Sequence, residues 1–178
     1  GQFNPQGKLT VSFPRTVGQV PIFYNHKNTG RPEGFYESVF ITKYLDSPNQ
    51  PLFPFGYGLS YTTFEYSEIQ MEDKQLTRDG KLNVSVKVKN TGKYKGTETV
   101  QLYIRDLVAS VTRPVKELKS FRKVELKPGE EKKVEFVITE KDLRFWNDKK
   151  QFISEPGKFH LFIGTDSENV KKAEFVLL

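Results

Sequence analysis

From about Ser67 onward the chain alternates apolar and polar residues in short runs broken by turn residues, the pattern of half-buried antiparallel strands. Leu82, Val84, Val86 and Val88 fall on one face of a predicted strand, with Lys81, Asn83, Ser85 and Lys87 on the other. Val100, Leu102 and Ile104 repeat the alternation, as do Val134, Phe136 and Ile138, then Phe159, Leu161 and Ile163, then Ala173, Phe175 and Leu177. Between Leu118, Phe121, Val124 and Leu126 the spacing slips from two to three, which predicts a bulge or bend. Asp79-Gly80, Asn90-Thr91-Gly92, Pro128-Gly129 and Pro156-Gly157 supply residues suited to reversing the chain. The one helical signal is Thr139 with Asp142 three residues on, a capping pair opening a short turn through Leu143, Phe145 and Trp146.

Residues 1–64 read differently. Leu9, Val11 and Phe13 form one short predicted strand before Pro14, after which Pro21, Pro32, Pro48, Pro51 and Pro54 are scattered among glycines and aromatics. This segment predicts an irregular arm. Phe53, Phe55, Tyr57, Leu59, Tyr61 and Phe64 are too apolar to hang in water, so they are candidate docking residues, with Phe53 and Phe55 expected to be buried against the sandwich or a second copy. The fold class is therefore all-β: an immunoglobulin or fibronectin type III-like antiparallel sandwich of about seven or eight strands over residues 65–178, preceded by the arm.

Composition narrows this picture. A chain of 178 residues has room for one substantial core, and its 15 Phe and 8 Tyr set it apart from disordered sequences. The net charge of +6 invites a nucleic-acid reading, but the lysines lie among glutamates, as at Glu130, Glu131, Lys132 and Lys133, which is how a solvated surface looks. No nucleic-acid or membrane partner is expected. Zero cysteines removes disulfides and thiolate chemistry, and His26 and His160 are the only imidazoles, so neither a metal nor a cofactor is expected. Gly1 in place of an initiator Met suggests a piece of a longer chain.

Candidate chemistry is sparse. Glu130 with Glu131, and Asp166 with Glu168, pair acids in predicted turns, where water on most sides leaves their pKa values no reason to move. His26 beside Arg31 in a polar loop is a candidate sugar contact, against the plainer reading of a loop histidine that hydrogen-bonds a neighbouring domain. His160 alternates with Phe159 and Leu161 and is expected on a strand's outer face. Trp146, with Phe145 and Tyr103, is a candidate sugar-stacking platform, against the plainer reading of a plug closing the sandwich end.

Several ordered motifs add a resemblance: Gly7-Lys8-Leu9-Thr10-Val11-Ser12-Phe13-Pro14, Val17-Gly18-Gln19-Val20-Pro21, Tyr24-Asn25-His26-Lys27, and Gly30-Arg31-Pro32. They continue through the aromatic run from Leu52 to Phe64, Arg113-Pro114-Val115-Lys116-Glu117-Leu118, and Leu126-Lys127-Pro128-Gly129-Glu130. Over nearly its whole length the chain resembles the C-terminal part of a family 3 glycoside hydrolase of the bacterial β-glucosidase type. The resemblance implies a parent with a catalytic barrel, an α/β sandwich and a fibronectin type III-like domain. Residues 1–64 then hold the end of the α/β domain and a linking arm, and residues 65–178 the last domain. The nucleophilic aspartate and the acid/base glutamate of the family lie upstream, so no catalytic residue carries over to this chain. The resemblance implies a non-catalytic, bracing role beside the barrel and α/β domains, contact with oligosaccharide only through the parent, and a periplasmic or secreted location. The alternative reading is a carbohydrate-binding module.

Overall fold

The computed structural model describes residues 2–31 and 40–178; Gly1 and Pro32, both singled out in the sequence, lie outside the described residues. Eleven strands and two short 3-10 turns make up the regular structure among them. Six strands are long: β4 (Leu82–Asn90), β5 (Gly96–Asp106), β6 (Glu117–Leu126), β7 (Glu131–Ile138), β10 (Gly157–Gly164) and β11 (Val170–Leu177). The others, β1 (Phe64–Tyr66), β2 (Gln70–Met71), β3 (Gln75–Leu76), β8 (Phe145–Trp146) and β9 (Phe152–Ile153), have two or three residues each. The expected seven or eight strands undercount these because a two-residue strand carries no periodicity to read.

The strands form two stacked sheets and a separate hairpin. β7 pairs along one edge of β4, while β1 and β2 take successive parts of the other edge. The second sheet runs β3-β11-β10-β5-β6, antiparallel throughout except for the parallel pairing of β3 with β11. Between the sheets lie Val84, Val86, Val88, Leu102, Ile104, Phe136, Leu161 and Ile163, all buried, as the alternation requires. The spacing slip in β6 is a real irregularity: Leu102 pairs with Ser120 but Tyr103 with Leu118, leaving Lys119 as the extra residue. At Thr139 the backbone N–H and the hydroxyl both donate to Asp142 Oδ2, at 2.8 and 2.7 Å, fixing the turn Glu140–Leu143.

The arm departs from expectation in one element. Residues 8–14 are not a strand; they meet residues 52–57 through one bridge, Phe13 with Phe53, and through Leu9, whose N–H donates to Tyr57 O and whose carbonyl accepts from Gly56, both at 2.8 Å. Pro14, Pro51 and Pro54 flank that bridge, and their missing N–H groups prevent a continuous ladder.

Candidate functional site

β5 is buried on both faces. Val100, Leu102 and Ile104 point into the sandwich, whereas Thr99, Gln101 and Tyr103 belong to the opposite face, which a lone sandwich would leave wet. The arm covers Gln101 and Tyr103. Gln101 Nε2 donates to Gly56 O at 3.0 Å and to Thr165 O at 2.6 Å, and its Oε1 accepts the Tyr103 hydroxyl at 2.5 Å. Gly56 sits at φ 83°, a backbone that favours glycine, and a Cβ there would press on the Gln101 amide that donates to the Gly56 carbonyl. Tyr24 stacks on Phe55 at 4.1 Å between centroids, and both meet Tyr103 edge-on, at 5.8 and 6.5 Å. Burial pushes the Tyr103 hydroxyl far above its ordinary range, with Tyr24 adding to the effect.

Further contacts fasten the arm along its length. The backbone N–H groups of Val115 and Ser167 donate to His26 O and Phe55 O, each at 2.9 Å, and Leu118 N–H donates to the Tyr24 hydroxyl at 3.3 Å. Lys116 Nζ donates to Ser167 O and lies 5.3 Å from the Phe162 ring centre; burial lowers its pKa, against the pull of Glu168 and Asp166. At the end of the sandwich Glu98 is buried, accepting the Tyr66 hydroxyl at 2.9 Å and Lys8 Nζ at 3.3 Å. Lys8 also donates to Thr165 Oγ1 at 3.0 Å. Burial and the Glu98 carboxylate raise the Tyr66 pKa. These groups floor an open cleft of about 570 Å³ between arm and sandwich.

Where the arm ends, Asn90 is fully buried and fully satisfied. Its Oδ1 accepts from Thr62 at 2.6 Å and Gly92 N–H at 3.0 Å, and its Nδ2 donates to Tyr94 O and Leu126 O at 2.8 and 3.0 Å. The arm also has a polar anchor of its own. Buried Gln19 accepts the Arg15 N–H at 2.6 Å and donates to Pro48 O at 2.8 Å, tying the turn Val17–Gln19 to the loop near residue 50. Neither glutamine is readable as an anchor from the sequence: Gln101 alternates with Val100 and Leu102 as an outward strand position does, and Gln19 stands between Gly18 and Val20 where no period places it.

The docking candidates divide. Phe55 and Tyr57 are half-buried, Phe55 on Tyr24 and Tyr103, and Phe64 is part of β1 and packs on the core. Phe53 is 37% exposed, and its ring contacts among the described residues are within the arm, edge-on to Phe13 at 6.4 Å and tilted on Tyr57 at 5.0 Å. Its expected burial against the sandwich does not occur, because its backbone bridge to Phe13 turns it to the arm's own aromatics. Tyr61 is 55% exposed beside Phe3 and Tyr94.

The remaining candidates lie apart from one another. The His26 ring is exposed, with Nδ1 3.1 Å from Lys27 O, and Arg31 is exposed with one guanidinium N–H 3.5 Å from Phe40 O. His160 is on the outer face but largely covered, edge-on to Phe162 and 3.6 Å from Glu174; burial, with Lys172 and Arg105, lowers its pKa against Glu174. Asp166, expected in water, is buried: its Oδ1 accepts the N–H groups of Glu168 and Asn169 at 2.9 and 2.8 Å, closing its own turn. The proposed trio of Trp146, Phe145 and Tyr103 does not assemble. Tyr103 packs on Tyr24 and Phe55, whereas Phe145 is buried beneath Arg113 at 4.3 Å, outside the core cluster between the sheets, and Trp146 does not plug the sandwich end. Trp146 is 66% exposed, because it alternates with Phe145 on a two-residue strand. Among the described residues no group of three His, Asp or Glu is placed to hold a metal ion, and no helix is long and apolar enough to cross a membrane.

A family model described as a fibronectin type III-like domain matches residues 98–167. The chain is 51% identical over 179 residues to a periplasmic beta-glucosidase of Salmonella typhimurium, an alignment covering all of this chain and 23% of that protein. It is 45% identical over 168 residues to a beta-xylosidase of Formosa agariphila, covering 94% of this chain and 22% of that one. The beta-glucosidase from Listeria innocua solved in complex with isofagomine superposes with a TM-score of 0.91 at 44% identity, over 98% of this chain and 25% of that chain. The chain thus spans about a quarter of the length of the relatives it matches, and the likeness runs through the arm as well as the sandwich. Over its whole length the chain therefore matches the region of these family 3 glycoside hydrolases that carries the fibronectin type III-like domain.

Proposed function

We propose that this chain is the non-catalytic brace of a β-glycoside hydrolase, a sandwich that holds an arm in place so that the arm can join it to barrel and α/β domains of the same parent. One observation carries the reading. The arm is fastened to the sandwich through Lys8, Tyr24, Phe55 and Gly56, yet it still presents Phe13, Phe23, Phe53, Leu59 and Tyr61 to solvent. A two-sided strip of this kind, buried on one side and apolar on the other, is what an inter-domain strut needs. Residues 1–64 then serve as the end of the α/β domain plus the linking arm, and residues 65–178 as the bracing domain. His26 and Arg31 are free to reach a sugar held in the parent's cleft. A parent that removes β-linked glucose or xylose units from oligosaccharides fits the names of its relatives, and the Salmonella relative's name supports a periplasmic location.

The reading has two tests. The chain alone should release no product from p-nitrophenyl β-glucoside or β-xyloside above the uncatalysed background; turnover that scales with protein and survives repurification overturns the non-catalytic assignment. Added in trans to the remaining three-quarters of a parent polypeptide, the chain should bind it and restore activity. Failure to associate, with both parts folded, counts against a bracing role.

A further inference from the structure

The hairpin β8–β9 stands apart from both sheets, pairing Phe145 with Ile153 and Trp146 with Phe152. Directly opposed residues on antiparallel strands share one face, so Trp146 and Phe152 form one outward pair, 66% and 49% exposed. Their ring centres lie 5.4 Å apart with planes 44° from parallel. On the other face Phe145 is buried beneath the Arg113 guanidinium. The base of the hairpin is tied down by Glu140, which accepts from Arg144 Nε at 2.9 Å and from the buried Ser154 hydroxyl at 2.6 Å.

The tip is equally well set. Asn147 Oδ1 accepts the N–H groups of Lys149 and Gln151 at 3.0 and 2.9 Å, the Asn147 and Gln151 backbones pair at 3.0 Å, and Lys150 takes φ 58° to close the turn. A turn so constrained holds Trp146 and Phe152 in one arrangement with little left to order on binding. Beside them Asp148, Lys149 and Lys150 are exposed, offering one acceptor and two donors at the platform's rim.

We propose that Trp146 and Phe152 form a binding platform for neutral, β-linked oligosaccharides, separate from any catalytic cleft. Pyranoses with equatorial hydroxyls present flat C–H faces that stack on aromatic rings, and two tilted rings in succession suit a chain whose sugars turn from one unit to the next. The size of the patch selects this occupant over a protein. The exposed apolar residues of the hairpin are Trp146, Phe152 and Ile153, whereas a stable protein interface takes about 20–30 residues a side. Charge selects it over single-stranded nucleic acid, because Asp148 beside two lysines interrupts the one-sign groove that tracks a phosphate backbone. The proposal does not depend on the bracing role.

Trp146 is the only tryptophan, so its emission reports the site directly. Titration of the 178-residue chain with cellohexaose, xylohexaose or laminarihexaose should give a saturable emission change in the millimolar range. Phe152→Ala should weaken the response by up to about tenfold while leaving the thermal midpoint in place. Trp146→Ala should lose retardation in gels containing β-glucan, again without unfolding. Any of three results overturns the proposal: no emission change with any of the three hexaoses; a change that Phe152→Ala leaves untouched; or a change produced only by oligothymidylate or by raising the protein concentration, which assigns the patch to nucleic acid or to a second copy.

Discussion

Asp106, at the end of β5, shows how a single side chain links the fold to pH. Its Oδ1 accepts the Val108 N–H at 3.3 Å, while its buried Oδ2 has no partner. Burial pushes its pKa up to about 6; the Val108 N–H and Arg113 pull it back, and Glu155 and Glu117 push it further up. An acid that holds its proton more tightly when folded contributes stability that is complete below its ordinary value of 3.8 and is lost as the pH rises through about 6. Asp106→Asn should therefore flatten the profile between about pH 4 and pH 7 by on the order of 2 kcal/mol, measured by urea denaturation at a series of pH values. An unchanged profile would show that another group titrates in this window. Glu140 and Glu155 are held low, by Arg144 and by Ser110 respectively, so they act in the opposite direction and at lower pH. Nothing in the sequence marks Asp106, since its neighbours there, Arg105 and Leu107, say nothing of the elements that close over it.

At the scale of elements, the long strands were legible because each repeats its apolar residue often enough to establish a period of two. Phe136 of β7 lies in the core, and Phe136→Ala should cost about 3 to 5 kcal/mol. Lys87 of β4 faces out and meets Glu131 at 3.2 Å with both side chains exposed, so Lys87→Ala should shift the denaturation midpoint very little. Similar midpoints for the two variants would contradict the observed strand faces. β5 could only be half read. Its inner face follows the alternation, but the burial of Gln101 and Tyr103 depends on Gly56, far away in sequence. Gly56→Ala should both strain a left-handed backbone and collide with Gln101. Hydrogen exchange should then show lost protection at Leu9 and Ser167 N–H groups, whose acceptors are arm carbonyls or whose partners flank Gly56, while β10 stays protected.

For the whole molecule, the open question is what keeps the arm on the sandwich. Phe55 is wedged between Tyr24 and Tyr103, whereas Phe53 rests on Phe13 and Tyr57 inside the arm. Phe55→Ala should loosen the arm and speed exchange at Ser167 N–H, which donates to the Phe55 carbonyl; Phe53→Ala should leave that amide as protected as before. Equal effects from the two variants would mean that the polar contacts of Gln101 and Lys8 hold the arm without aromatic help.

The sequence by itself determined the class of the fold, the faces of its long strands, the bulge in β6, the capped turn at Thr139 and the family resemblance, because each is written in local periodicity, turn chemistry or ordered motifs. Tertiary structure alone decided that Gln19, Gln101 and Asp166 are buried, that Phe145 is buried while Trp146 faces water, and that Phe53 and Phe55 part company. The physical reason is common to them all. Whether a polar or aromatic side chain is wet depends on which distant segment closes over it, and an irregular arm of prolines and glycines carries no period from which that path can be read.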